Sequence, residues 1–60
     1  MQVYVNGHPV ALLVGMTVKH ALIAAGVLEE LASGKQVFDE WGQEIGLAGA
    51  LTAEMKIFVR

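Results

Sequence analysis

The chain opens on strict alternation. Val3 and Val5 fall on one side of an extended backbone and Tyr4 on the other, the period-two pattern of a strand with two distinct faces. Asn6-Gly7 follows, a dipeptide that tolerates the positive φ angles of a two-residue hairpin turn. A second run, Val10 to Val14, sets Val10, Leu12 and Val14 against Ala11 and Leu13. Pro9 lacks an amide proton and is expected at a strand start or a sheet edge. These residues predict an opening β-hairpin.

At Gly15 and Met16 the alternation breaks and the period changes. Thr17 can cap a helix through its hydroxyl. Val18, Ala21, Leu22 and Ala25 then recur on one helical face, and Gly26 supplies the left-handed residue that closes it. Ile23 points off this stripe, toward Val27 and Leu28 or toward water. Val27 to Ser33 predicts one or two irregular helical turns, with Leu28 and Leu31 inward, Glu29 and Glu30 in water, and Gly34 as the stop.

The second half predicts a third strand over Lys35 to Asp39, a turn at Glu40-Trp41-Gly42-Gln43 and a short strand from Glu44 to Gly46. Leu47 to Leu51 predicts a short helical turn. The closing strand runs from about Met55 to Val59, with Met55, Ile57 and Val59 alternating against Lys56 and Phe58. Apolar groups on both sides of that strand predict a central position, covered on both faces. The expectation is a single α+β domain over residues 1–60. One main helix packs on one face of a mixed four- to five-stranded sheet, whose strands near Gln2–Asn6 and Met55–Val59 are adjacent and parallel.

Composition sharpens this picture. With 60 residues the domain is small, near the size where core burial barely offsets chain entropy. The chain has no cysteine, which excludes disulfide staples and a cysteine-ligated iron–sulfur cluster. Hydrophobic residues are 55% of the chain without its seven glycines, above the roughly 45–50% usual with glycine counted. A domain this size cannot bury all of them, so an exposed apolar patch is expected, and such patches mark a partner or self-association surface. The net charge is -2 and the four cations are scattered, which argues against nucleic acid. The longest apolar run, Pro9 to Val14, is too short to span a bilayer. A soluble, cytoplasmic protein is the expectation.

The order of elements resembles the ubiquitin-like β-grasp superfamily. The likeness is carried by the hairpin Met1 to Val14, the Gly-x-Thr-Val junction at Gly15, Thr17 and Val18, and the ending with Leu47, Leu51, Met55, Ile57 and Val59 in spaced register. It is similar to the thiamine-biosynthesis sulfur carrier, the molybdopterin synthase small subunit, and the TGS and SLBB domains. In the carriers a terminal Gly-Gly is adenylated and converted to a thiocarboxylate, and a tail without Cβ atoms suits a narrow channel. No residue here matches either glycine, and Arg60 is expected to hold its carboxylate against the domain body. Acidic charge, surplus apolar area and the lack of catalytic groups then point to a small non-enzymatic ubiquitin-like module that docks noncovalently on a protein partner, such as a metabolic enzyme complex. The alternative is a sulfur carrier whose glycine tail is absent from this chain.

Candidate chemistry is thin. His8 and His20 have no metal-ligand spacing and read as a turn residue and a solvated helix position. Asp39-Glu40-Trp41-Gly42-Gln43-Glu44 reads first as an acidic turn whose Trp41 covers the end of the core. An exposed Trp41 anchor is the second reading, since Trp is enriched at energetic centres of interfaces. Met1, Met16 and Met55 read as core gap-fillers. The glycines at 42, 46 and 49 form no phosphate loop, and no catalytic constellation, metal site or cofactor is expected. The site expected is a contiguous apolar patch of Tyr4, Leu13 and Phe58, with Trp41 at its rim, on the sheet face that the helix leaves open. It would serve a protein partner or a homodimer.

Overall fold

The computed structural model describes residues 1–60. Asn6 (φ 52°) and Gly7 (φ 84°) both adopt the left-handed region, as a two-residue hairpin requires. That turn sets Val5 opposite His8 and fixes the register of the first two strands, β1 (Gln2–Val5) and β2 (His8–Ala11). β2 therefore begins earlier than the apolar run at Val10, and ends earlier too. Leu12 still donates its amide to the Met1 carbonyl at 2.7 Å. A turn at Gly15 (φ 96°), with the Met16 amide on the Leu13 carbonyl at 3.2 Å, then draws the chain away from the sheet. Leu13 and Val14, expected in the strand, are left 72% and 89% exposed.

The helix α1 (Val18–Ala25) forms where the period predicts it, with Thr17 before it and Gly26 (φ 75°) after it. Its first amides would otherwise lack partners. The Val18 amide bonds the Gly49 carbonyl at 3.1 Å and the Lys19 amide the Leu47 carbonyl at 2.9 Å. Residues 47–51 are thus not the helical turn the sequence predicts. They form an irregular segment whose carbonyls cap α1, joined to it by a bridge between Ala50 and Thr17. Gly49 suits this contact because a Cβ there would lie 3.0 Å from the Gly46 carbonyl oxygen and 3.4 Å from the Val18 side chain. His20 completes the cap: its Nδ1 accepts the Thr17 backbone amide at 2.9 Å, the role Glu or Gln fills in a capping box.

A 3-10 helix over Leu28–Ser33 follows, with Leu28 and Leu31 packed against the core. The last strands are β3 (Val37–Asp39) and β4 (Lys56–Val59). The sheet has four strands in the order β2-β1-β4-β3. β1 and β4 run parallel in the middle, and each is antiparallel to its outer neighbour. The expected strand at 44–46 reduces to a bridge from Glu44 to Phe38 and an Ile45 amide on the Val37 carbonyl at 2.9 Å. The loop 40–43 leaves too little extended chain for more.

Val18, Ala21 and Leu22 of α1 bury the sheet face carrying Val3, Val5, Val10, Val37, Ile57 and Val59. Every one of these is at most 8% exposed. Asn6 ties the hairpin to the closing strand, its Oδ1 accepting the Val59 amide at 2.9 Å across a sequence separation of 53. No helix is long and apolar enough to cross a membrane.

Candidate interaction surface

Because Val3, Val5, Ile57, Val59 and Val37 face the helix, their strand neighbours face the other way. Tyr4, Phe58 and Phe38 consequently share the open face. Phe38 stands directly across from Phe58, and Tyr4 lies level with Lys56, the residue preceding Phe58 on its side of β4. Diagonal neighbours of this kind are within reach of aromatic side chains. All three rings are half-buried.

Arg60 closes one end of this row. Its guanidinium carbon lies 5.2 Å from the Phe38 ring centre and 5.7 Å from that of Phe58, within the range of cation–π attraction. At the other end the Tyr4 hydroxyl accepts a hydrogen bond from the Gln2 side chain at 2.9 Å. By alternation the strand positions on this face are Gln2, Tyr4, Pro9, Ala11, Phe38, Lys56 and Phe58. None of these is a carboxylate, but Glu44, bridged opposite Phe38, brings one to the same face. The face is aromatic in the middle, with Lys56 and Arg60 as its cations and the Glu44 carboxylate beside Phe38.

The four residues expected to form one patch are divided. Tyr4 and Phe58 do share the open face. Leu13 lines a separate apolar hollow between β2 and α1, with Met16, Ile23 and Ala24. Trp41 sits at the tip of the loop after β3 and is 79% exposed, so it does not cover the end of the core. The acidic turn is organised by Asp39, whose Oδ1 accepts the amides of Trp41 and Gln43, both at 2.9 Å. This is the local side-chain-to-backbone bonding that favours Asp in turns.

Phe38 and Arg60 are the members of the face that the sequence reading missed. Both carried a signal. Phe38 flanks Val37 as Phe58 flanks Ile57, and Lys56, Phe58 and Arg60 recur at period two. His8 and His20 lie on different elements, β2 and α1, and no group of three or more His, Asp or Glu side chains is placed to hold a metal ion. Comparison with protein-family models, curated proteins and solved structures gives no match.

Proposed function

We propose that this chain is a ubiquitin-like β-grasp module that docks noncovalently on a protein partner through the open face of its sheet. The element order supports the fold reading: hairpin, helix across one face, then a closing strand parallel to the first and central in the sheet. The observation that carries the functional reading is the row Tyr4, Phe58 and Phe38 beneath Arg60, on a face with two cations, Lys56 and Arg60, and one carboxylate, Glu44 beside Phe38. Tyr and Arg are the residue types that dominate binding energy at interfaces, and rigid aromatic rings lose little entropy when covered. The partner that fits has an apolar centre and an acidic rim.

Charge reversal tests this without touching the core. Lys56 and Arg60 are exposed, so Lys56→Glu with Arg60→Glu should leave the fold intact. Wild-type protein, this double variant and Ile23→Ser on the helix side are used as bait in extract of the source cells. A true partner is retained by wild type and Ile23→Ser and lost by the double variant. Its purified complex weakens as salt rises, since the rim contacts are electrostatic. A partner held equally by the charge-reversed protein overturns the assignment.

A further inference from the structure

The flank of α1 beside β2 is not closed. α1 presses Val18, Ala21 and Leu22 onto the sheet, and His20, Ile23 and Ala24 form an exposed stripe next to them at helical spacing. Across from this stripe the chain leaves the sheet at the Gly15 turn, so Leu13 stands as a rim instead of lying in β2. A hollow of about 310 Å³ remains between the two. Leu12, Leu13, Met16, Ile23 and Ala24 are among its apolar lining residues, and His20 is its one polar one. A side chain as small as that of Ala24 cannot fill the space. The volume falls at the lower end of the roughly 300–1,000 Å³ of small-molecule sites, which are lined mostly by apolar side chains with a few placed polar groups.

The hydrogen bonding of His20 is fixed on one side of its ring. Nδ1 accepts the Thr17 amide at 2.9 Å, and the Thr17 hydroxyl lies 3.1 Å from the same nitrogen. A ring nitrogen that accepts an amide proton carries none itself, so the neutral imidazole holds its proton on Nε2. That N–H has no acceptor within the chain. It is the only side-chain donor among the residues lining the hollow, and no carboxylate lines it. Lys19 is the one charged residue of α1. It adjoins His20 and stands one helical turn before Ile23, on the same face.

We infer that this hollow binds a small aliphatic carboxylate, its hydrocarbon chain between Leu13 and Ile23 over Leu12 and its head accepting the Nε2 proton of His20. Each part of the ligand answers a group of the protein. Leu13 and Ile23 are 72% and 53% exposed, and a hydrocarbon chain laid between them takes that apolar area out of water. The head must be an acceptor, because Nε2 offers a proton and no lone pair. It is an anion because the one neighbouring charge, Lys19, is positive, and a charged acceptor makes the stronger hydrogen bond. The hollow lies on the helix side of the sheet, apart from the row of Tyr4, Phe58 and Phe38.

Octanoate is the probe. Titrated into the nitrogen-15-labelled wild-type chain, it should give saturable amide shifts at Leu12, Leu13, Met16, His20 and Ile23, while Tyr4, Phe38 and Phe58 stay in place. Long-range proton–nitrogen spectra of the His20 ring should show the proton on Nε2 in the free protein, and that resonance should move downfield as octanoate binds. Octylammonium has the same chain and the opposite charge, and should bind at least roughly tenfold more weakly. Ile23→Ser strips one wall of the hollow and should weaken octanoate by roughly tenfold or more. His20→Glu keeps a capping box with Thr17, so far-ultraviolet dichroism should be unchanged, but it sets carboxylate against carboxylate and should abolish binding. The absence of a saturable shift with octanoate overturns the inference, as do shifts centred on the open face or equal binding of octylammonium. A free ring with its proton on Nδ1 overturns it too, as does octanoate binding undiminished in His20→Glu. Lys56→Glu with Arg60→Glu should bind octanoate as wild type does, so this site and partner docking are tested independently.

Discussion

The two faces of the sheet are built from the same four strands, yet they are finished in different chemistry. Toward the helix stand Val3, Val5, Val10, Val37, Ile57 and Val59, all aliphatic and all buried. On the other side stand Tyr4, Phe38 and Phe58, half-covered, with Lys56 and Arg60 among them. β-Branched side chains fill a fixed space under a helix because they have few rotamers. Aromatic rings capped by a cation offer broad, rigid area that a second surface can still cover. One face is closed by the helix and the other is left open, and adjacent residues of β4 fall on opposite sides of that division.

Ile57 and Phe58 give the strongest test of the contrast. Ile57 is fully buried, and Ile57→Ala should cost roughly 2–5 kcal/mol. Stabilities near 0.05–0.15 kcal/mol per residue put this domain at about 3–9 kcal/mol in total, so much of the protein would unfold at room temperature. Leu22→Ala, on the helix side of the same core, belongs in the same range. Phe58→Ala should cost about 1 kcal/mol, roughly half of what full burial contributes, while abolishing partner capture. Urea unfolding followed by far-ultraviolet dichroism gives both values. Equal losses at positions 57 and 58 would mean that the open face is a second core.

Asn6 probes what keeps the two faces continuous. It combines a positive φ with an Oδ1 that accepts the Val59 amide, holding the hairpin to the central parallel pair. Asn6→Gly keeps the backbone angle but leaves that amide without an acceptor, for an expected loss of roughly 1–3 kcal/mol. Asn6→Asp keeps both the acceptor and a tolerance for the left-handed region, and should stay close to wild type. The denaturant midpoint should fall for the glycine variant with the slope unchanged, marking a change in stability alone.

How much of this was legible in the sequence follows the range of the interactions. The hairpin, α1 and the parallel β1–β4 pair were readable because Asn6-Gly7, Thr17, Gly26 and the alternation of residues 55–59 act locally. The ends of β2 were not, since the turn at Asn6-Gly7 sets the register and the turn at Gly15 ends it, whatever the apolar run between them. The role of residues 47–51 was hidden for a different reason. They are ordered by giving backbone carbonyls to α1 from some 30 positions away in sequence (roughly, a loop long enough for closure entropy to dominate), and no side-chain periodicity records that. His20 was read as a solvated helix position, and its ring is exposed; its capping bond was missed because the spacing from Thr17 resembles a capping box only if histidine is admitted at the third helical position. Half of the expected patch was readable from alternation. Leu13 was misplaced with the end of β2, and Phe38 was passed over because its strand is only three residues long.

The smallest expected effect lies on neither face. Trp41 is the chain's one tryptophan and stands at the tip of the loop after β3, where its backbone amide, not its indole, bonds Asp39. A serine there keeps that amide. Trp41→Ser should therefore change stability by no more than about 0.5 kcal/mol, the range for surface substitutions away from special features. Native fluorescence should already sit at the position of a hydrated indole and shift little on unfolding, so dichroism rather than fluorescence must report the transition. A blue-shifted native emission, together with a loss above about 1 kcal/mol in Trp41→Ser, would place the indole against the end of the sheet. The loop would then belong to the core, and the contrast between the closed face and the open face would have to be redrawn around it.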